Sequence, residues 1–478
     1  MSIDDVLYPL IKNYLASPQW VKNSFGEYYS QIPASLRLGS TYRRYRRELN
    51  VIERSRIGEF SAQKLRETIL WTVSSVPAFQ AMRSKIGTCS NPHQALLEFP
   101  CMSKMDVKRD PDRYISSLTG ASSRLKMFTG GSTLEPMQFF VERGKARPKE
   151  HAFMENFNLR LSKSKRALTL SLRGRTVPAA SEGNQRLWMY EPIKHHLILS
   201  SDHLEPKYME EYVLALKKWQ PHYVEAFPSA LYPLARWFAE NPHNEITAHI
   251  HGIALVSENV YAYQMELFRK VFNCPILKHF GHSERVVMAA SMPDDDRYFF
   301  WPQYGKLELL DQQGNPITKP GEIGEIVGTS FDNRVMPFIR YRTGDLAVWS
   351  EREHPLLPGY PVCERIEGRL QEFVVCKDHR LVSITTLGAA HFEELAEAER
   401  IQYEQHHAGY LILNVQVTKP LSETIRKRVS RAVVEKTQNG CEVDVREVEQ
   451  ILRSPRGKHK MLIQHLDISN HLGAAAIE

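Results

Sequence analysis

The sequence predicts an α/β protein: a large amino-terminal α/β domain with parallel-rich sheets, followed by a small carboxy-terminal α+β domain. Three observations predict it. Short apolar strands alternate with amphipathic helices through the middle of the chain. A β-α-β order recurs there, which requires parallel strands and a right-handed crossover. After about residue 370 the pattern changes to a hairpin, a strand, a helix and a strand. The chain has 478 residues, enough for two or three domains and a large core.

Taken in order, "VLYPLIKNYL" and "AQKLRETILWTVSS" have amphipathic helical spacing. "RALTLSL" and "HHLILSS" are predicted strands. "HYVEAF" is a strand that ends at Pro228, and "SALYPLARWFAE" is the helix that follows. "ITAHIHGIALVS" is predicted as one strand, "NVYAYQMELFRKVF" as a helix and "PILKHF" as the next strand. Ligands of open α/β sheets bind beyond the carboxyl ends of such strands, where "LVS" with Glu258 and "GHSE" fall. In the last part, "FVVCKDHRLVSIT" reads as a hairpin and "GYLILNVQVTK" as a strand. "SETIRKRVSRAVVEKTQ" is a helix with Ser422 as its N-cap, and "EVDVREV" is a further strand. The boundary falls near "RIEGRLQEF", dividing residues 1–369 from 370–478.

Composition narrows the function. Hydrophobic residues make up 42% and charged residues 24%, ordinary values for a globular protein. A formal net charge of +7 suits an anionic small ligand. The basic runs "TYRRYRRELNVIERSR" and "RLSKSKR" do not continue into an aromatic-rich RNA-binding motif, so they are read first as solvated faces, with docking patches as the alternative. The six cysteines have no CxxC pairing or regular spacing, which argues for a reducing compartment and against a disulfide framework or a strong zinc site. No run approaches bilayer-spanning length, and the acidic start does not read as a signal peptide, so a cytoplasmic setting is expected.

Two stretches carry chemistry. "MFTGGSTLEPMQFF" sets adjacent glycines and hydroxyls between apolar flanks, a composition that can turn backbone N–H groups towards an anion. It is not a Walker loop, and a Gly-Gly-Ser-Thr turn is by itself most often only a turn. "RYRTGD" follows a predicted strand, and its Asp345 is suited to accept both hydroxyls of a ribose.

Together and in order, "LLEFPCMSKMDVKRDPDRY", "TGGSTLEP", "FPSALYPLA", "LVSENVY", "FGHSERVVMAA", "RYRTGD", "IEGR" and "GKHK" resemble the adenylate-forming superfamily of acyl-CoA synthetases and luciferases. The nearest branch is similar to the phenylacetate–CoA ligases of the capsular-polysaccharide-biosynthesis type. The resemblance covers most of the chain and implies an ATP-dependent acid ligase using Mg²⁺. Thr129, Gly130, Gly131, Ser132 and Thr133 would hold ATP phosphates; Leu134-Glu135 stand where the family usually has Gly-Lys or Gly-Glu. Phe280 would stack on adenine, within an ATP-binding turn of Gly281, His282 and Ser283. Glu284 would bind Mg²⁺, a hard cation that wants a carboxylate. Ser257 and Glu258 would line the adenine or acyl side, Asp345 would take the ribose, and Arg369 would contact ribose or phosphate. Arg369 and Gln371 would form the hinge, and Lys458 would reach into the site from the small domain.

The implied reaction has a carboxylate attack the α-phosphate, giving an acyl-adenylate and pyrophosphate; coenzyme A is the common second acceptor. Amine, hydroxyl or carrier-protein acceptors stay open, as do a catalytically inactive nucleotide-binding pathway protein and a nucleic-acid binder. The small carboxylic acid is not readable, although His279, His282 and Ser283 are placed to touch it. "HFGH" is a weak metal signal because no third ligand accompanies it.

Overall fold

The structure, a computed structural model, describes residues 7, 10, 14, 17–51, 56–129, 137–173, 177, 186–201, 203–204, 206–311, 313–369, 373–387, 398–417, 420–452, 461–466 and 468. A hairpin of β1 (Arg124–Phe128) and β2 (Gln138–Glu142) pairs Phe128 with Gln138 at its open end. The main sheet takes β3 (Thr169–Leu172), β4 (Trp188–Glu191), β5 (His196–Leu199), β6 (Tyr223–Ala226), β7 (Gly252–Val256) and β8 (Ile276–Gly281). It continues through β9 (Met288–Met292), β10 (Asp295–Phe300), β11 (Gly305–Leu310), β12 (Ile323–Ser330), β13 (Tyr341–Ser350) and β14 (Val362–Arg369). Its twelve strands lie in the order β11-β12-β13-β14-β10-β9-β8-β7-β6-β3-β5-β4.

Neighbours from β5 through β3, β6 and β7 to β8 are parallel, and the rest of the sheet is antiparallel. The parallel strands β3, β5, β6 and β7 are buried throughout or nearly so, because helices cover both faces, whereas β8 is half-buried from Lys278 onward. On one face Val224, Ile253 and Leu255 meet Leu231, Leu234 and Phe238 of the helix Pro228–Glu240 and Phe268 of the helix Ala262–Phe272. On the other face the alternating residues Tyr223, Ala254 and Leu277 meet Phe153 and Phe157 of the helix Ala146–Arg160. Behind the antiparallel half, Leu65, Ile69 and Val73 of the helix Ile57–Ser75 fill a third core with Val286, Ile326 and Tyr341.

A second sheet lies in the last part of the chain, after the hairpin β15 (Phe373–Val375) and β16 (Leu381–Ser383). It contains β17 (Ala398–His407), β18 (Tyr410–Val417), β19 (Glu442–Val448) and β20 (Leu462–Gln464) in the order β19-β18-β17-β20. The helix Glu423–Lys436 covers it, and Ser422 Oγ accepts from the Ile425 N–H at 3.2 Å, as its N-cap position predicts. This unit has its own core of Val374, Tyr403, Leu413 and Val429, and Phe373 and Ile468 pack on Leu346 of the large sheet. The α/β class and the smaller α+β unit are therefore as expected.

The sequence reading departs from the fold in several places. "ITAHIHGIALVS" divides into a helical turn, Asn244–Thr247, and the strand β7, because His251 and Gly252 begin the pairing afresh. The polar β17 was not foreseen. The basic runs are not simply solvated faces. In the helix Gly39–Val51, Tyr42 and Tyr45 are buried while Arg44 pairs with Asp332 and Arg46 with Glu155. Arg160, at the start of "RLSKSKR", donates to the carbonyls of Ala290 and Ser291 at 3.0 Å and lies over the Trp301 ring.

Lys149 anchors this packing. Its ammonium donates to the carbonyls of Tyr304 at 2.7 Å and Phe331 at 2.8 Å, tying a helix to the turn after β12. Burial pushes its pKa down from 10.5 to about 8, against the opposing pull of Asp332. Between pH 8 and 10.5 the unfolded chain still binds a proton that the folded chain has released, so folding gains stability as pH rises. Urea midpoints of the parent should therefore climb across this window relative to Lys149→Met. Parallel pH profiles would show that Lys149 titrates normally.

Candidate active site

The carboxyl ends of the parallel strands gather charged residues. Arg173 follows β3 and pairs with Glu225 of β6. Burial pushes the Glu225 carboxyl up, but Arg173, His196 and Lys163 outweigh it and hold the pKa at about 2. Ser257, just beyond β7, has φ +62°, a left-handed conformation unusual for a residue with a Cβ. The next residue, Glu258, accepts from the Ser229 N–H at 3.2 Å, at the start of the helix Pro228–Glu240. Its carboxylate thus meets exposed amide donors and the positive end of the helix dipole.

His279, near the end of β8, is pushed down to about 4 by burial, so the imidazole is neutral. Its edge meets Phe157, and its Nε2 is buried with no protein hydrogen-bond partner among the described residues. At Gly281 beside it, a Cβ would come within 3.1 Å of the His279 ring, a tight contact to which the ring would have to yield. Phe280 is half-buried and packs edgewise on Phe300 with centroids 6.0 Å apart.

The turn from β8 to β9 holds itself. His282 accepts from the Val286 N–H through Nε2 at 3.3 Å, which directs that nitrogen back into the turn. Arg285, at φ +57°, donates to the Ala146 carbonyl at 2.7 Å. Ser283 is half-buried between them. Glu284 accepts from the Tyr341 hydroxyl at 2.9 Å and faces a cleft lined also by Glu142, Lys145, Asn333 and Arg285. Its half-buried carboxylate offers hard oxygen donors already oriented by Tyr341, so it fits the coordination chemistry of Mg²⁺.

"RYRTGD" supplies that hydroxyl and more. Arg340 pairs with Glu308 at 3.1 Å, both side chains only 7% exposed, and donates to the Phe99 carbonyl at 3.0 Å. Tyr341 is buried, and the next residue, Arg342, pairs with Glu325 at 2.6 Å. Glu325 also accepts from the N–H of Gly344, whose φ of +76° suits glycine. Thr343 Oγ1 accepts from the Asp345 N–H at 3.1 Å and donates to the Ile326 carbonyl at 2.8 Å. Asp345 is buried inside β13, not in a surface turn, and its backbone pairs with Arg369 of β14. The segment "PCMSK" joins the same strand, because Met102 exchanges backbone hydrogen bonds with Arg340 and Arg342.

Thr129 closes the neck of the glycine-rich loop: its N–H and Oγ1 both bond to the backbone of Met137 at 2.9 Å. Gly130, Gly131, Ser132, Thr133, Leu134, Glu135, Gln371 and Lys458 lie outside the described residues, and of Arg369 only the backbone is described. The structure thus places Thr129 at the open end of the β1-β2 hairpin, Ser257, Glu258, Phe280, Gly281, His282, Ser283 and Glu284 at strand ends and turns of the large sheet, and Asp345 within β13. Sequence reasoning missed Tyr341, Arg173 and Glu225. Tyr341 stood within a motif valued only for its aspartate, and the other two were charges at the ends of apolar strands.

This is the fold of the adenylate-forming ligases. A crystal structure of 2-hydroxyisobutyryl-CoA ligase, in the postadenylation state with an acyl-AMP, matches with a TM-score of 0.64 and 15% identity, over 88% of this chain and 94% of that one. The same ligase in complex with 2-HIB-AMP and CoA matches with a TM-score of 0.51 and 16% identity, over 87% and 91%. In sequence, the chain is similar to Protein CapK of Staphylococcus aureus, 23% identical over 299 residues. That match spans 61% of this chain and 63% of CapK, so somewhat less than two thirds of that relative is covered. No family model matches the sequence.

The Tyr341–Glu284 bond makes a direct expectation. Tyr341→Phe keeps the buried ring and removes the donor, leaving one Glu284 oxygen without its partner. Stability should fall by about 0.5–1.5 kcal/mol in urea titrations. No change in midpoint would mean that water replaces the hydroxyl at no cost.

Proposed function

We propose that the protein is an ATP-dependent, AMP-forming acid ligase of the phenylacetate–CoA ligase-like kind. It activates a small carboxylic acid as its acyl- or aryl-adenylate and passes the acyl group to a thiol such as coenzyme A. The observation that carries this reading is the meeting of Glu284 with Tyr341, which joins the "GHSE" turn to the strand bearing Asp345. In this reading residues 1–369 bind ATP and the acid, and residues 370–478 form a mobile unit that brings Lys458 to the phosphates. The setting is cytoplasmic, where ATP is abundant.

A carboxylate is a poor electrophile because it is anionic and its oxide leaves badly. Attack of its oxygen on the α-phosphate forms one P–O bond and releases pyrophosphate, after which AMP is a good leaving group. Phe280 stacks on the adenine, Asp345 accepts from the ribose hydroxyls, and the loop beyond Thr129 takes the departing phosphates. Glu284 would hold Mg²⁺, which would supply positive charge against the phosphates. Lys458 offsets charge developing between the carboxylate and the α-phosphate, so positioning and electrostatics dominate. Transfer then exchanges the acyl–O–P linkage for a thioester, with AMP leaving and the thiol proton lost to solvent. An ATP–pyrophosphate exchange screen across carboxylic acids tests the whole reading. Exchange with none of a broad panel, by a folded protein that binds ATP, would favour a pathway protein without catalysis.

Two substitutions test the roles separately. Asp345→Ala should weaken ATP binding by on the order of 1–3 kcal/mol, because two ribose hydroxyls lose their acceptor. Calorimetry on folded protein reads this directly, and an unchanged affinity would remove Asp345 from the nucleotide site.

Lys458→Ala should slow adenylate formation by roughly 10²–10³, while transfer from a preformed acyl-adenylate stays near the parental rate. Equal losses in both half-reactions would count against a rotating small domain.

A further inference from the structure

The small unit carries a cluster that the ligase reading does not use. Glu404 and His406 alternate on β17 and so project from the same face. β20 runs parallel to β17, with Glu404 opposite Ile463 and Gln405 opposite Gln464. That register carries His465 to the place beside His406, and the His465 N–H donates to the Gln405 carbonyl at 3.0 Å. The two imidazoles stack with centroids 4.0 Å apart and planes inclined by 9°. Both Nε2 atoms face one oxygen of Glu404, at 2.9 Å from His406 and 3.1 Å from His465.

The scaffold behind them is fixed. Gln405 points to the opposite side, fully buried, and bonds both the N–H and the carbonyl of Val375 at 2.8 Å. Gln464 donates to Gln405 and to the Phe373 carbonyl, each at 2.7 Å. The strands bearing the three ligands are thus locked together and to β15, while the ligands keep 25–45% of their side-chain surface open to solvent.

We propose that Glu404, His406 and His465 form a binding site for a zinc-class divalent transition-metal ion. Their donor atoms lie within 4.8 Å of one another. Donors around a tetrahedral ion with bonds of about 2.0–2.2 Å sit roughly 3.4 Å apart, so small side-chain adjustments suffice. Two imidazoles with one carboxylate favour zinc-like ions over Mg²⁺ or Ca²⁺, which take oxygen donors. On binding, each Nε2 gives its lone pair to the ion and keeps the ring neutral with a proton on Nδ1. The fourth position takes water. Solvent access to the cluster provides the entry path. The ion would staple β20, a short edge strand that closely follows Lys458 in the chain, to the interior of its sheet.

The test uses the full chain stripped of metal by a chelator. Titration with Zn²⁺, followed by calorimetry and by competition with a chelating dye, should find one site tighter than the background of the chain's other histidines. His406→Ala and His465→Ala should each weaken that site by at least about tenfold, the loss that even outer partners of a metal ligand produce. Glu404→Gln, nearly isosteric and least disturbing to the fold, should weaken it in the same sense. Co²⁺ should give visible absorption bands in the parent that all three variants lose, and Zn²⁺ should raise the melting temperature of the parent alone. Parental Zn²⁺ affinity in the folded variants, or no distinct site in the parent, would overturn the proposal. Because no readout involves ATP or acid, its outcome is independent of the ligase reading.

Discussion

A single hydrogen bond, from the Tyr341 hydroxyl to Glu284, sets the geometry of the candidate site. It joins the turn that closes the parallel half of the sheet to the first residue of β13 in the antiparallel half. Around it, Arg340, just before that strand, pairs with Glu308 of β11, and Arg342 within it pairs with Glu325 of the adjacent β12. Alternating arginines therefore serve as ties to neighbouring elements of the sheet, leaving the tyrosine between them to meet Glu284. Removing one partner of such a buried pair leaves an uncompensated charge, which makes the pairs strong determinants of register even where their net stabilisation is small.

The same logic governs the other end of the site. Glu225 and His279 lie near the carboxyl ends of β6 and β8. Glu225 is kept ionised by Arg173 and its cationic neighbours, and His279 is kept neutral by burial. Neutral imidazole and fixed carboxylate present polar groups to one edge of the sheet without adding a mobile net charge. The left-handed backbone at Ser257 adds local strain there, a feature that accumulates where function over-determines the chain.

The β-α-β run from β6 to β8 was legible in the sequence because its periodicities are strong and its turns carry proline or polar stops. What escaped depended on distant partners. β17 is rich in Glu, Gln and His, poor strand formers, and becomes a strand through its pairing with β18 and β20. Arg46 and Arg44 look solvated until Glu155 and Asp332, more than a hundred residues away in the sequence, arrive beside them. Asp345 was read as following a strand, not as part of one. Gly344 before it lies near a register irregularity between β12 and β13 that lets the strand continue. The site motifs were readable as an ordered set, whereas Tyr341 took its meaning only from the contact with Glu284.

Thr129 and Met137 pinch the glycine-rich loop at its base with two hydrogen bonds, on a hairpin whose far strand buries Phe139 and Val141. The chain between them is thereby tethered at both ends to a rigid mount, and closing so short a span costs little entropy. Such a mount behaves as a socket. Substitutions between Thr129 and Met137, where Leu134-Glu135 fall in the sequence, need not disturb the strand pairing on either side. The composition of that segment is thus mechanically uncoupled from the hairpin and the core beneath it, and can vary while the architecture that carries it stays still.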